Sequence, residues 1–255
     1  MFIIYNEAID KAMREDPYIP PPPPLVDDIN KPLAFQSEKD GSTVTLKKSG
    51  SQLSAWGDFE ISRDGGEWED YTVSTPITLN QGHYVSFRTK TTAGVDKDSF
   101  WQFFVSGKIN AYNNINSMVS ADFLNLSELA PYQFHHLFDD CTALYKAPLF
   151  PTTTLAPYCY WYTFSWCYRL TKAPYLPATI LAEHCYEKMF YAASSLKEVR
   201  VSATTMADGA LIDWLTSVSD SGDFYCDPNA TIFPTGMSGI PRNWTRLPLS
   251  DYPTT

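Results

Sequence analysis

The feature that most constrains this chain is a 26-residue repeat in its second half. CTALYKAPLFPTTTLAPYCYWYTFSW begins at Cys141 and is followed at once by CYRLTKAPYLPATILAEHCYEKMFYA from Cys167. APYQFHHLFDD from Ala130 precedes them as a partial copy, and ASSLKEV from Ala193 follows. A unit of this length buries its apolar face only by stacking on its neighbours. The period therefore predicts a solenoid, which is not the usual context of an enzyme pocket.

Each repeat unit divides into two halves with different patterns. Leu144, Leu170 and Leu196 share one slot of the first half and should point inward. The prolines of that half would break a helix, so it is predicted to be a short strand and a turn. The second half has apolar residues at i, i+3, i+7 and i+8, which is typical of one helix face. In the middle copy these are Ala156, Cys159, Thr163 and Phe164.

The repeats resemble the BspA-like leucine-rich repeats found on surface proteins of gut bacteria and in head or tail proteins of their (crAss-like) tailed phages. The resemblance rests on C-x-x-L-x-K-A-P-x-L-P-A-T-x-L-A-x-x-C-Y-x-x-M-F, which Cys167 to Phe190 fits, while the copy at Cys141 departs at Thr152 and Thr163. It covers residues 110–247. The resemblance implies binding or adhesion without catalysis.

The whole chain is expected to be of mixed class, with an immunoglobulin-like β-sandwich followed by a short strand–turn–helix solenoid and a C-terminal cap. The sandwich is predicted from short alternating strands joined by Asp-Gly and Gly-Gly turns, and such a module often precedes the repeats in the proteins they resemble. Asp208 should cap a helix that covers the end of the array. The four expected parts are an N-terminal docking arm (1–28), the sandwich (29–107), the repeats (108–205) and the cap with a tail (206–255).

The N-terminal arm combines an apolar tip, a short helix and five consecutive prolines from Pro20 to Pro24. The prolines predict a polyproline II rod of about 15 Å. We interpret the arm as a peptide that docks into a partner, and the alternative is a disordered tail with a proline linker. The residues expected to dock are Phe2, Ile3, Ile4, Ile9 and Met13.

Composition excludes several classes of function. A net charge of −10 without a run of basic residues argues against nucleic acid. No segment reaches the roughly 20 apolar residues of a membrane-spanning helix. Four of the five cysteines occupy repeat slots and lack metal-ligand spacing, so core packing is preferred over zinc.

Two histidines and two aspartates could in principle bind a metal. His135 with Asp139, or His136 with Asp140, would lie at i and i+4 on one helix face. Their repeat-mates include Glu187 and Lys188, so a solvated surface is the preferred interpretation. No catalytic motif is present in the sequence, and we expect no enzyme activity, no cofactor and no metal.

The aromatic residues of the middle copy are the candidate binding surface. Trp161 and Tyr162 align with Glu187 and Lys188, which are rarely buried, so both slots should face outward in all three copies. Exposed rings usually mark a contact. The alternative is that the sandwich or a neighbouring subunit covers them. The candidate residues are Tyr158, Tyr160, Trp161, Tyr162 and Trp166.

These observations predict a phage virion structural protein, such as a head fibre, tail fibre or decoration protein. It would dock on a capsid or tail protein, be assembled in the host cytoplasm, and display the repeats at the virion surface to a host protein or glycan. Free thiols suit such assembly, and no export signal is recognisable at the start of the sequence. A homo-oligomer is expected, most readily a trimer. The alternative is a bacterial cell-surface adhesin whose export signal is missing from this sequence.

Overall fold

A computed structural model describes residues 20–50 and 55–253, and this part of the chain is nearly all β. Strands make up 33%, helical turns 4%, and no helix of the described residues reaches seven residues. The docking residues expected between Phe2 and Met13 lie outside the described residues. The strands are β1 (Ala34–Ser37), β2 (Ser42–Gly50), β3 (Phe59–Arg63), β4 (Trp68–Asp70), β5 (Ile77–Leu79), β6 (Tyr84–Thr89), β7 (Ser99–Ser106), β8 (Ile109–Tyr112), β9 (Leu144–Lys146), β10 (Ile180–Leu181), β11 (Glu198–Arg200), β12 (Thr205–Met206), β13 (Gly222–Cys226) and β14 (Trp244–Pro248). Three short 3-10 turns cover Ile115–Met118, Phe123–Asn125 and Leu249–Asp251.

The first half of the chain forms two sheets that share a core. One has the order β4-β3-β6-β1-β8-β9 and the other β5-β2-β7. Burial alternates along β6, where Val85 and Phe87 are buried, as expected for strands with one face inward. Phe35 packs against Phe103 of the other sheet at 4.6 Å between ring centroids, and Phe87 packs against Phe103 at 5.2 Å.

The sheets continue directly into the repeats. β8 pairs with β9 in parallel, so the larger sheet includes a strand of the first full repeat. The backbone N–H of Phe103 donates to the carbonyl of Leu137 at 2.8 Å, which sets β7 beside the first partial copy. The expectation of an immunoglobulin-like sandwich followed by a solenoid is therefore wrong, because an immunoglobulin-like fold keeps its strands in two antiparallel sheets of its own.

The second halves of the repeats form stacked rows of turns. We define the rows as residues 130–141, 156–167, 182–193 and 207–218. Alternate N–H groups donate to the next row: Phe134 to Cys159 and Phe164 to Met189, both at 2.8 Å. The remaining N–H groups donate to carbonyl groups within the same row and so close turns, as the N–H of His135 does with the carbonyl of Tyr132. No described residue of these rows is helical, so the strand–turn–helix solenoid is wrong.

The backbone explains why these rows are not helices. Every fourth residue of the first row has a left-handed conformation, with φ of 61° at Tyr132, 57° at His136 and 58° at Asp140. An α-helix needs negative φ throughout and an N–H bond to the carbonyl four residues before. The apolar pattern is satisfied instead by a four-residue turn that repeats along each row. Hydrogen bonds to the neighbouring row offset the cost of the left-handed residues.

Equivalent side chains stack on one another inside the rows. Ring centroids lie 5.1 Å apart between Phe138 and Phe164 and 5.6 Å apart between Phe164 and Phe190, with interplanar angles of 3° and 2°. Each ring is buried, which contributes about 2–3 kcal/mol per phenylalanine. The prediction that the leucine slot points inward is confirmed, since all three leucines are fully buried. They are Leu144, Leu170 and Leu196.

The C-terminal residues close the far end of the stack without a helix. The capping helix expected after Asp208 is wrong, because residues 207–218 form the fourth row. Trp214 of that row is fully buried, and its indole N–H donates to Gly239 at 2.9 Å. Beyond it, β11, β13 and β14 form a parallel sheet.

The segment that follows the prolines is fastened to the body. Lys146 donates to both carboxylate oxygens of Asp27, at 2.8 and 2.7 Å. The N–H of Asp28 donates to the Asn113 side chain at 3.0 Å. A Cβ added at Gly82 would lie 2.5 Å from the Cβ of Pro21, so Pro21 lies close to the turn at Gly82.

Among the described residues, no helix is long and apolar enough to cross a membrane.

Candidate functional site

The left-handed residues of the first three rows form three columns, which continue to Gly209, Asp213 and Ser217 in the fourth row. Because the rows are in register, each left-handed residue lies beside its repeat-mate. The first column is Tyr132, Tyr158 and His184. The second column is His136, Tyr162 and Lys188. The third column is Asp140, Trp166 and Ala192.

Rings of the first column stack face to face. Tyr132 and Tyr158 are 5.0 Å apart with an interplanar angle of 7°, and Tyr158 and His184 are 4.7 Å apart with an angle of 5°. The column ends on Gly209, where any Cβ would collide with the His184 ring. The flat face of Tyr158 is therefore covered on both sides, and only ring edges face outward.

The second column is also stacked and begins on β7. Phe100 lies 4.5 Å from His136, and His136 lies 4.8 Å from Tyr162. Lys188 places its ammonium group 5.3 Å from the Tyr162 ring. Tyr162 is half-buried, and both of its faces are occupied.

Tyr160 is not a surface residue, which corrects the sequence-based assignment. Its side chain is 1% exposed and stacks on Phe134 at 5.7 Å. Tyr160 occupies the slot of Phe134 and Tyr186, which are both buried in the core. Its hydroxyl has no hydrogen-bond partner among the described residues.

The slot of Trp161 does not face outward in every row. Its equivalent, His135, is 1% exposed because Phe100 of β7 packs against it at 4.9 Å. Trp161 itself is half-buried, 6.3 Å from His135, and its buried indole N–H has no partner in the described structure. The expectation of an outward slot in all three copies is therefore wrong at His135.

Trp166 is the most exposed of the candidate residues. It is 41% exposed, and Tyr168 beside it is 38% exposed. The Trp166 ring meets Tyr168 at 5.9 Å and 81°, and Tyr191 at 5.8 Å and 68°. These edge-on contacts differ from the parallel stacking of the other two columns. The sequence did not single out Tyr168 and Tyr191, because Thr142 and Ser165 fill their slots in the preceding row and no aromatic pattern repeats there.

His136 and His184 of the columns pair with carboxylates three residues later in the chain, not four. His136 is 2.8 Å from Asp139, and His184 is 2.6 Å from Glu187. Asp140 is exposed and does not share in the first pair. No group of three or more possible metal ligands occurs among the residues that the structure describes. The five cysteines are free and buried, and burial raises the pKa of the Cys185 thiol to about 12.

A shallow open groove of about 520 Å³ lies on the C-terminal parallel sheet. Two of its charged residues, Lys172 and Glu198, pair with each other at 3.0 Å. Tyr252 also donates to Glu198 at 2.9 Å. The groove is lined by Lys172, Lys197, Glu198, Ser221, Gly222, Asp223, Asn243 and Thr245.

We call Trp166, Tyr168 and the half-buried Tyr191 the aromatic cluster. Trp166 and Tyr168 are exposed and are not stacked in parallel with each other, so this cluster is the part of the candidate surface best placed to contact a ligand. No protein-family model, curated protein or solved structure matches this chain, so the resemblance to BspA-like repeats remains a sequence-based prediction.

Proposed function

We propose that this protein is a phage virion structural protein, a head fibre, tail fibre or decoration protein, that adheres to a host surface through the aromatic cluster around Trp166. The observation that carries this proposal is the exposure of Trp166, at the end of a closely packed row, and of Tyr168 beside it. Exposed rings supply contact area at low entropic cost, and stacked rows hold them rigidly. Such a surface is suited to binding and provides no catalytic group.

Two further observations support attachment through the N-terminus. The segment that follows the prolines is bound to the body by the hydrogen bonds of Asp27 with Lys146 and of Asp28 with Asn113. An N-terminal arm held by a partner would therefore be connected firmly to the folded body. The five buried thiols are unpaired, as is usual for proteins that fold in a reducing cytoplasm.

The proposal is tested with particles assembled from wild-type and altered protein. Deletion of residues 1–19 should leave a folded body that no longer joins the particle, since every described contact of the body is retained. Trp166→Ala should still join the particle, but these particles should bind host cells less well. Normal incorporation of the deleted chain would refute the docking arm, and unchanged cell binding by Trp166→Ala would refute the adhesion surface.

The alternative is a bacterial cell-surface adhesin that uses the same aromatic cluster. Mass spectrometry of purified virions and of bacterial surface fractions separates the two, because each proposal places the chain in only one of them. Sedimentation of the complete chain tests the expected trimer. A 28.8 kDa monomer at high concentration would count against a trimeric fibre.

A further inference from the structure

We infer that the ligand of this surface is a neutral glycan, with one hexose ring seated in the corner between Trp166 and Tyr168. This inference rests on the proposed adhesion function and specifies its ligand. The two rings meet at 81° with centroids 5.9 Å apart. At this angle the edge of one ring borders the face of the other, which forms two walls at a right angle.

The corner differs from the rest of the aromatic surface because its two rings are exposed and are not stacked in parallel with each other. A pyranose ring packs with its C–H groups against the flat face of an aromatic ring. In the first two columns these faces are covered by parallel neighbours 4.5–5.0 Å away. Within the described structure no ring lies parallel to Trp166, whose ring contacts are the edge-on ones with Tyr168 and Tyr191, and 41% of this residue is exposed. Trp166 is thus the candidate residue able to stack on a sugar.

Two exposed charged residues adjoin this corner, one in the neighbouring row and one next to Tyr168 in the chain. Asp140 precedes Trp166 in the third column, and its N–H donates to the carbonyl of Ser165, the residue before Trp166, at 2.9 Å. Arg169 follows Tyr168 directly in the chain, and both charged side chains are exposed. A carboxylate accepts two hydrogen bonds and a guanidinium donates several, which suits pairs of adjacent hydroxyls.

Charge and size favour a neutral glycan over other ligands. The chain carries a net charge of −10, so a polyanionic glycan would be repelled by the protein as a whole, while the opposite charges of Asp140 and Arg169 leave the corner itself without a net charge. A stable protein partner typically covers about 800 Å² of each surface. The corner consists of two exposed rings with one half-buried tyrosine beside them, which is the scale of one or two sugar residues.

The test uses the full chain and five defined tetrasaccharides. Four are neutral: cellotetraose, maltotetraose, mannotetraose and chitotetraose; the fifth is an anionic heparin tetrasaccharide. Saturation-transfer NMR detects binding at millimolar concentration, and tryptophan fluorescence gives the affinity. We expect at least one neutral tetrasaccharide to bind. Trp166→Ala and Tyr168→Ala should each weaken this binding about tenfold, and Trp166→Phe should retain part of it.

Trp56→Ala is the matched control, because Trp56 is 56% exposed but lies outside the repeats. This variant should bind as the wild type does. The inference is overturned if none of the neutral tetrasaccharides binds, if binding survives Trp166→Ala, or if only the heparin tetrasaccharide binds. Thermal melts of each variant identify any loss of folding, and in that case Trp166→Phe and Tyr168→Ala decide the result.

The experiment also distinguishes this inference from the proposed function. If host-cell binding requires Trp166 but no neutral tetrasaccharide binds, the glycan is wrong and the adhesion surface stands. If a neutral tetrasaccharide binds through Trp166 while host-cell binding is unaffected by Trp166→Ala, the glycan stands and adhesion through this surface is wrong.

Discussion

His135 should make the protein less stable in acid. It is 1% exposed, and its Nδ1 lies 2.5 Å from the carbonyl oxygen of Tyr132, to which it donates. Phe100 and Trp161 pack against the imidazole. Burial is the main cause that lowers its pKa from 6.5 to about 4. The hydrogen bond to Tyr132 opposes this shift, and the charges of His136 and Asp96 act on it with opposite signs.

The pH range and the magnitude follow from this shift. The folded state keeps His135 neutral, whereas the unfolded chain protonates it below its ordinary pKa of 6.5. The unfolded state therefore binds more protons between pH 6.5 and about 4, and the stabilising contribution, complete above pH 6.5, is lost as the pH falls. This shift of the pKa corresponds to about 3 kcal/mol in the free energy of unfolding.

The assay compares urea unfolding of the wild type and of His135→Gln between pH 4 and pH 8, followed by tryptophan fluorescence. Carboxylates contribute to both chains alike, so the difference between the two curves isolates His135. We expect the variant to lose about 3 kcal/mol less than the wild type over this range.

Phe224→Leu is the control, since it alters the packing of a fully buried ring beside Trp214 and Phe233 and leaves the surroundings of His135 unchanged. It should lower stability by a similar amount at every pH. Equal pH dependence in the wild type and His135→Gln would refute the reasoning. An NMR titration that places the pKa of His135 near 6.5 in the folded protein would do the same.

Three further predictions concern the rows and the N-terminal segment. Gly209→Ala should lower the free energy of unfolding by at least about 1 kcal/mol more than Gly41→Ala does. Both glycines have φ of 71°, but only Gly209 lies against the His184 ring. Equal losses of stability in thermal melts of the two variants would contradict this. Lys146→Ala should lower the free energy of unfolding by about 1 kcal/mol. In a double-mutant cycle with Asp27→Ala, the double variant should lose less stability than the sum of the two single variants. Additive losses would show that the two residues do not interact. The five buried thiols should resist alkylation in the native protein and react together on unfolding, because burial raises the pKa of the thiols; rapid modification of native protein, measured by mass spectrometry, would be inconsistent with this packing.

Part of this structure could be predicted from the repeat alone. A fixed period requires that equivalent residues have equivalent surroundings, which is why Leu144, Leu170 and Leu196 are all buried. The same reasoning applies to Phe138 and Phe164, which stack in adjacent rows. A repeat indicates which residues share an environment, and it can be recognised from the sequence without knowledge of the tertiary structure.

The conformation of the rows was decided by tertiary structure. Apolar residues four apart, such as Tyr160 and Phe164, fit a helix face and also a repeating four-residue turn. The turns are stabilised by hydrogen bonds between rows, such as that from Phe164 to Met189 across 25 positions of the chain. The spacing of apolar residues within one row does not indicate hydrogen bonds to another row. The sequence pattern therefore favoured a helix, which the structure does not have.

The candidate site shows the same division. The sequence identified an aromatic cluster in the middle repeat, but it did not determine which rings are accessible. Tyr160 turned into the core with its repeat-mates, and Phe100 from a distant strand covered the slot of His135. Trp166 remained exposed, with edge-on neighbours at Tyr168 and Tyr191. The sequence by itself determined which residues repeat, whereas only the packing of neighbouring rows and strands decided which rings stay exposed, because exposure depends on what lies against each ring.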